Sequence, residues 1–283
     1  MLRIAFVTSQ ALHDLTTSDR LAAAALRARG ADVVPAVWTD PAVDWSAFDL
    51  VVIRSPWDYF HHRDRFLQWF DVLDHAGVTV RNPTSILRWN LDKSYLRELD
   101  VPQVPTEWIE QGAAVDLGRV IAARGWDSAV VKPTVSGGAT DTWITTPATA
   151  GADQARVTPI VARCGLMIQR FMPEIRAAGE WSFLFLGGRF SHAVIKRPTA
   201  GDFRVQVEHG GSARSAVPPD RLRAQAKKVV DSVGTELLYA RVDGLDLGGQ
   251  LQLMELEVLE PDLFLEYSDG APERFAEAVL AGD

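Results

Sequence analysis

Apolar residues follow two rhythms along this chain. Near the start, short and mostly apolar runs at residues 2–8, 33–38 and 50–53 read as buried strands. Between them, Leu21, Ala22, Ala25 and Leu26 recur at helical spacing after Ser18 and Asp19, and Gly30 stops them. Residues 63–76 repeat that stripe with Phe66, Leu67, Phe70 and Leu73, and Gly77 follows. Strands alternating with helices predict a small parallel α/β domain ending near Leu87.

Beyond that point sheet dominates. A helix is predicted over 92–99, and the segment 101–105, Val-Pro-Gln-Val-Pro, reads as a linker because proline cannot continue a helix. Strands are predicted at 129–133, 141–145, 166–171, 180–186 and 190–195, with Gly187 and Gly188 turning one of the last two into the other. Helices return at 219–233, where Leu222, Ala226, Val229 and Val230 share a face, and at 272–280.

The sharpest chemical feature is a predicted hairpin of strands 240–245 and 250–259 around Gly248 and Gly249. Alternation puts Glu255 and Glu257 on one face, and a three-residue loop would set Asp243 opposite Glu255. Three such carboxylates repel one another, so the face is either solvated or occupied by a cation, and hard oxygen ligands select magnesium or manganese. The segment alone does not choose, although Leu253, Met254, Leu256 and Val258 mark its other face as buried. A second feature is Val130-Val131-Lys132-Pro133 followed by Ser136-Gly137-Gly138-Ala139, a strand leading a lysine into a glycine-containing turn. Glycines let backbone N–H groups approach phosphate, and the lysine ammonium can join them; in isolation Lys132 reads as a strand lysine with its head in water before it reads as a ligand. Lys93, after Asp92, is a second such candidate beside the reading of an ordinary surface lysine. Neither a P-loop nor a GxGxxG motif is present.

Composition narrows the class. With 283 residues, 47% of them hydrophobic, the chain can bury a sizeable core in two or three subdomains. A net charge of −8 argues against nucleic acid as a partner, and no run approaches the ~20 apolar residues of a membrane span. Cys164 is the one cysteine, so no intramolecular disulfide forms and a cytoplasmic setting is expected. The oligomeric state is open, a homodimer included.

In chain order, Asp92-Lys93, the Lys132 strand with its Ser-Gly-Gly-Ala turn, Ile168-Gln169-Arg170-Phe171-Met172, Gly179-Glu180-Trp181-Ser182, Lys196, Asp202-Phe203-Arg204 with Gly210-Gly211-Ser212, Arg241-Val242-Asp243 and Glu255-Leu256-Glu257 resemble the ATP-grasp superfamily over about residues 90–265. The likeness is to the glutathione synthetase and D-alanine:D-alanine ligase type. It implies a mixed α/β (α+β) fold with an N-terminal parallel α/β substrate domain (1–90), a small central lid (91–167) and a C-terminal mixed-sheet domain (168–283). It also implies an ATP-dependent C–N ligase that activates a small carboxylate as an acyl phosphate for attack by an amine. Gln169, Arg170, Phe171 and Met172 would contact adenine and Glu180 the ribose; Lys93, Lys132, Ser136, Gly137 and Gly138 would hold phosphates. Asp243, Glu255 and Glu257 would bind two Mg2+ (or Mn2+) ions, and Arg204 and Lys196 would be catalytic. The chain departs from the common pattern in three places: Glu257 stands where asparagine is usual, one extra residue precedes Pro261, and Asp262 replaces a glycine; Glu260 is the alternative to Glu257 as ligand, the weaker one because it adjoins proline and has the opposite strand parity.

Substrate is expected at Arg54-Ser55-Pro56-Trp57-Asp58-Tyr59, beyond the end of a strand. Arg54 would pair with a carboxylate and Asp58 with an ammonium, Ser55 and Trp57 lining the pocket beside Gly210 and Gly211; a turn whose aromatics merely pack explains the same residues. The phrase also resembles the ATP-grasp subgroup that includes O-ureido-D-serine cyclo-ligase, in which acid and amine belong to one molecule. Two other readings remain: a kinase-like transfer of phosphate alone, and a nucleotide-binding protein without ligase chemistry.

Overall fold

A computed structural model describes residues 1–281, so the last two residues of the expected third domain lie outside the described residues. The first domain is the expected parallel sheet, in the order β2-β1-β3-β4, from β1 (Arg3–Thr8), β2 (Asp32–Val37), β3 (Leu50–Ser55) and β4 (Thr79–Arg81). Helices α1 (Thr17–Arg27), α2 (Arg63–Ala76) and α3 (Thr84–Asn90) connect or follow these strands. Thr16 caps α1 by accepting the Asp19 N–H at 3.1 Å, and Gly77 ends α2 in the left-handed conformation with φ 66°.

The central unit is an antiparallel sheet, β5-β8-β6-β7, with β5 (Thr106–Ile109), α4 (Leu117–Arg124), β6 (Ala129–Pro133), β7 (Trp143–Thr145), α5 (Ala150–Val161) and β8 (Leu166–Arg170). The boundary expected at 167/168 therefore falls inside a strand that pairs with both β5 and β6. Residues 92–99 form not an α-helix but a 3-10 helix, Lys93–Glu98, started by Asp92 accepting the Ser94 N–H. No element is predicted at 117–124 or 150–161. Gly118, Gly151 and Pro159 break the propensity there, and the helices form because Leu117, Ile121, Val157 and Ile160 are buried against the sheet.

The third unit contains α6 (Glu174–Ala177), β9 (Glu180–Leu186), β10 (Arg189–Arg197), β11 (Ser212–Ser215), α7 (Asp220–Asp231), β12 (Tyr239–Leu247), β13 (Gln250–Glu257) and α8 (Ala271–Leu280). Its sheet is antiparallel in the order β11-β10-β9-β12-β13. One face packs on α7 through Phe183, Phe185, Val242 and Leu222. α8 lies between this unit's sheet, where it shares a core with Leu184, Leu186 and Val194, and the first domain, where Phe275 meets Phe6 edge-on at 6.2 Å beside Leu26. Among the described residues no helix is long and apolar enough to cross a membrane.

Candidate active site

A cavity of about 590 Å³ opens between the central and C-terminal sheets, with the first domain at one end. Its apolar part is made by Gln169–Met172 from β8 and the residues after it, faced by Phe203, Val205 and Met254. Beyond this lie Lys93, Lys132 and the loop 136–140; opposite them stand Glu180, Lys196, Arg241, Asp243, Glu255 and Glu257. The sequence spacing thus brings the expected nucleotide and acidic groups to one place.

The acidic face follows from the hairpin register. Asp243 pairs with Glu255 and Arg241 with Glu257, but the connection is the two-residue turn Gly248-Gly249, both with positive φ (61° and 93°), not a three-residue loop. A two-residue turn by itself would place Asp243 opposite Met254. A β-bulge between Asp243 and Gly244 restores the expected pairing and leaves Met254 as the extra residue at the cavity wall.

Neutralisation here is dense. Asp243, 3% exposed, accepts from Ser182 Oγ at 2.6 Å, Lys196 Nζ at 2.9 Å and the Arg241 guanidinium at 3.0–3.2 Å. Burial alone would raise its pKa, but Arg241 and Lys196 outweigh it and hold the carboxyl down at about 2. Lys196 also pairs with Glu180 at 2.7 Å. Arg241 bridges to Glu257 as well, yet burial drives that carboxyl up to about 8 against the pull of Arg241, with Glu255 and Asp243 adding repulsion. Lys93 reaches Glu255 at 3.3 Å and donates to the Ser136 carbonyl at 2.7 Å. Among the described residues Lys132 has no salt-bridge partner; desolvation lowers its pKa, opposed by Glu255, and neighbouring Lys93 adds to the lowering.

No three acidic, histidine or cysteine groups among the described residues enclose a metal position as they stand. The donor chemistry nevertheless fits magnesium. Glu255 and Glu257 are hard oxygen donors on the cavity wall, and Mg2+ usually takes one or two carboxylates plus phosphate and water. Asp243 stands behind them with its oxygens already committed.

Several expected substrate residues do not reach the cavity. Arg54 is 1% exposed; its Nε donates to Asp19 at 2.8 Å and its NH2 group to the Pro261 carbonyl at 2.8 Å, so its charge is spent inside the protein. Ser55 is buried against Thr8 (Oγ–Oγ 3.0 Å), and Asp58 accepts the Trp38 indole N–H at 2.7 Å. Trp57 does line the cavity, joined by Tyr59 and Phe60. Gly210 and Gly211 lie outside it; a side chain at Gly211 would strike the Val205 carbonyl, so that glycine shapes the loop while Glu208, His209 and Ala213 face inward. Arg204 borders the cavity but is bound to Asp202 (NH2–Oδ2 2.8 Å), whose carboxyl it holds well below the usual range. Sequence reasoning named Arg241 only as part of a motif. Its position two residues before Asp243, on the same strand face, was the available signal. His209, whose ring nitrogen lies 3.0 Å from the Gly138 carbonyl, had none.

The fold is that of the ATP-grasp enzymes: the chain superposes on D-alanine–D-alanine ligase from Bacillus anthracis with a TM-score of 0.70 at 14% identity, covering 99% of this chain and 97% of that one. Residues 4–82 match the family described as D-cycloserine synthetase DcsG, N-terminal domain. The cycloserine biosynthesis protein DcsG of Streptomyces lavendulae is 31% identical over 259 residues, 86% of each chain. The crystal structure of D-cycloserine synthetase DcsG superposes with a TM-score of 0.89 at 27% identity over 99% of both chains. The chain belongs to the ATP-grasp ligases of the DcsG type, and it is an ATP-dependent ligase.

Proposed function

We propose that the enzyme activates the carboxylate of a small amino-acid-like substrate as an acyl phosphate and closes it onto a nitrogen of the same molecule, releasing ADP and phosphate. The observation that carries this reading is Lys132, with no salt-bridge partner among the described residues, in one cavity with Lys93, Glu255 and Glu257. Cationic and acidic groups gathered on the walls of one cavity suit a polyphosphate with its metal. Adenine would lie along Gln169–Met172, with Glu180 at the ribose, and the loop 136–138 would offer backbone N–H groups to the phosphates. Magnesium, held by Glu255 and Glu257 with Asp243 behind them, would supply charge neutralisation during phosphoryl transfer. Arg204 would swing from Asp202 to the transferred phosphoryl group, and Lys196 and Arg241 would add fixed positive charge at the same end. Ring closure within one molecule, rather than joining of two, is supported by the likeness to D-cycloserine synthetase over the whole chain. The reading places the enzyme in the cytoplasm, where ATP and a reduced Cys164 coexist.

The test is ADP release by the purified enzyme with ATP, Mg2+ and O-ureido-D-serine as the single acid. Turnover without an added amine, together with a hydroxamate when hydroxylamine is present, supports activation followed by cyclisation. ADP formation that requires a separate amine would end the cyclisation reading, and release of a stable phosphorylated acid would leave only phosphate transfer.

A further inference from the structure

Residues 258–264 follow β13 without joining any sheet, yet they carry Glu260 and Asp262 to the cavity wall. A buried segment of this kind must find partners for its backbone carbonyls. Six of the seven have a side-chain N–H donor. Asn82 Nδ2 donates to Val258 O at 2.7 Å; Leu259 O has only the Tyr239 hydroxyl at 3.1 Å, whose single proton is shared with Ile53 O at 2.6 Å. Trp57 Nε1 donates to Glu260 O at 3.0 Å, Arg54 NH2 to Pro261 O at 2.8 Å and Arg241 NH1 to Asp262 O at 3.1 Å. His192 Nε2 serves Leu263 O and Phe264 O at 3.0 and 3.1 Å. Three of these donors, Arg54, Trp57 and Asn82, come from the first domain.

We infer that Arg54 and Trp57 are positioning residues: the first domain shapes the substrate end of the site by holding carbonyls 260 and 261, thereby fixing where Glu260 and Asp262 face the substrate. Arg54 is thus not a ligand for substrate, and its pairing with Asp19 keeps its donor aimed at Pro261. The ring of Trp57 meets the cavity while its N–H points to the clamped backbone. Only the kinetic arm of the test rests on the proposed substrate.

Trp57→Phe removes the indole donor and keeps an aromatic ring; Arg54→Lys keeps the charge for Asp19 and loses the forked reach to Pro261. Hydrogen exchange in the intact enzyme reads the segment directly. Amides 259–265 are expected to exchange about two- to tenfold faster in either variant, the range given by loss of one net hydrogen bond, while amides 166–170 stay as in the wild type. With O-ureido-D-serine and ATP, KM for the amino acid should rise or kcat fall while KM for ATP is unchanged, a split that general loosening of the fold does not give. Unchanged exchange at 259–265 in Trp57→Phe overturns the inference, as does faster exchange with wild-type kinetics toward the amino acid. If the wild type does not turn over O-ureido-D-serine, the substrate reading fails, and the exchange result alone decides the clamp.

Discussion

Arg54 shows how the same residue type serves two ends. A guanidinium after a strand, before an aromatic turn, suits a substrate carboxylate; here it closes a buried pair with Asp19 and lies 4.9 Å over the Tyr239 ring. Removing one member of such a pair leaves the other charged and dry, so Arg54→Met should cost about 3–5 kcal/mol in urea unfolding. The double variant Arg54→Met with Asp19→Leu should recover much of that loss. Had Arg54 been a substrate ligand, the single variant would unfold near the wild-type midpoint. Composition and spacing carried no sign of the partner because Asp19 lies 35 positions away in sequence, in a helix whose capping already explained an aspartate. Lys132, Glu255 and Glu257 were legible for the opposite reason: their neighbours in sequence fix which face of a strand they take.

His192 supplies the pH dependence at this scale. It is 6% exposed, its neutral ring sits between Ser191 and the carbonyls of Leu263 and Phe264, and burial lowers its pKa to about 4, with Arg274 adding to the shift. The unfolded chain takes up a proton near 6.5 and the folded protein only near 4, so this residue's contribution is whole above 6.5 and lost as pH falls toward 4. At most about 3 kcal/mol is involved. Melting temperature followed from pH 7.5 to 4 should fall less steeply in His192→Gln than in the wild type.

At the scale of elements, the hairpin β12–β13 is the instructive case. Alternation correctly put Asp243 opposite Glu255, but through the wrong loop. A turn of two glycines plus a bulge reaches the same register as a loop of three residues, and periodicity does not distinguish them. Three of the four strands of the first domain were legible as apolar runs, but β4, Thr-Val-Arg, carries no such run, and α4 and α5 were hidden by glycine and proline within them. The turn makes a prediction of its own. Gly249 has φ 93° and stands against the Arg221 guanidinium, so Gly249→Ala should destabilise by about 1–2 kcal/mol in chemical denaturation. Gly248→Asn, at φ 61° with open space around it, should cost less.

For the whole molecule, ligand linkage is the most direct readout. ATP with Mg2+ at a hundredfold excess over Kd should stabilise by about 2.7 kcal/mol, a rise of a few degrees in Tm. Glu255→Gln should abolish the magnesium-dependent part of that rise while still folding, because Lys93, its one ion-pair partner among the described residues, keeps its bond to the Ser136 carbonyl. A Tm shift that survives Glu255→Gln would remove Glu255 from the metal site. The change from an α/β first domain to a sheet-dominated remainder was legible from the rhythm of apolar residues, and the division of that remainder only through the family resemblance; the crossing of units was not legible. β8 belongs to the central sheet although the expected boundary splits it, and α8 packs against both its own unit's sheet and the domain at the other end of the chain.

That last contact sets an order of events during synthesis. Ile4, Phe6 and Leu26 find Phe275 and Val279 only when α8 has been made, some 190 residues after β4. At about 5–20 residues per second the ribosome needs on the order of ten to forty seconds to cover that stretch. Throughout that interval the nascent first domain displays an uncovered greasy flank, a natural landing place for chaperones.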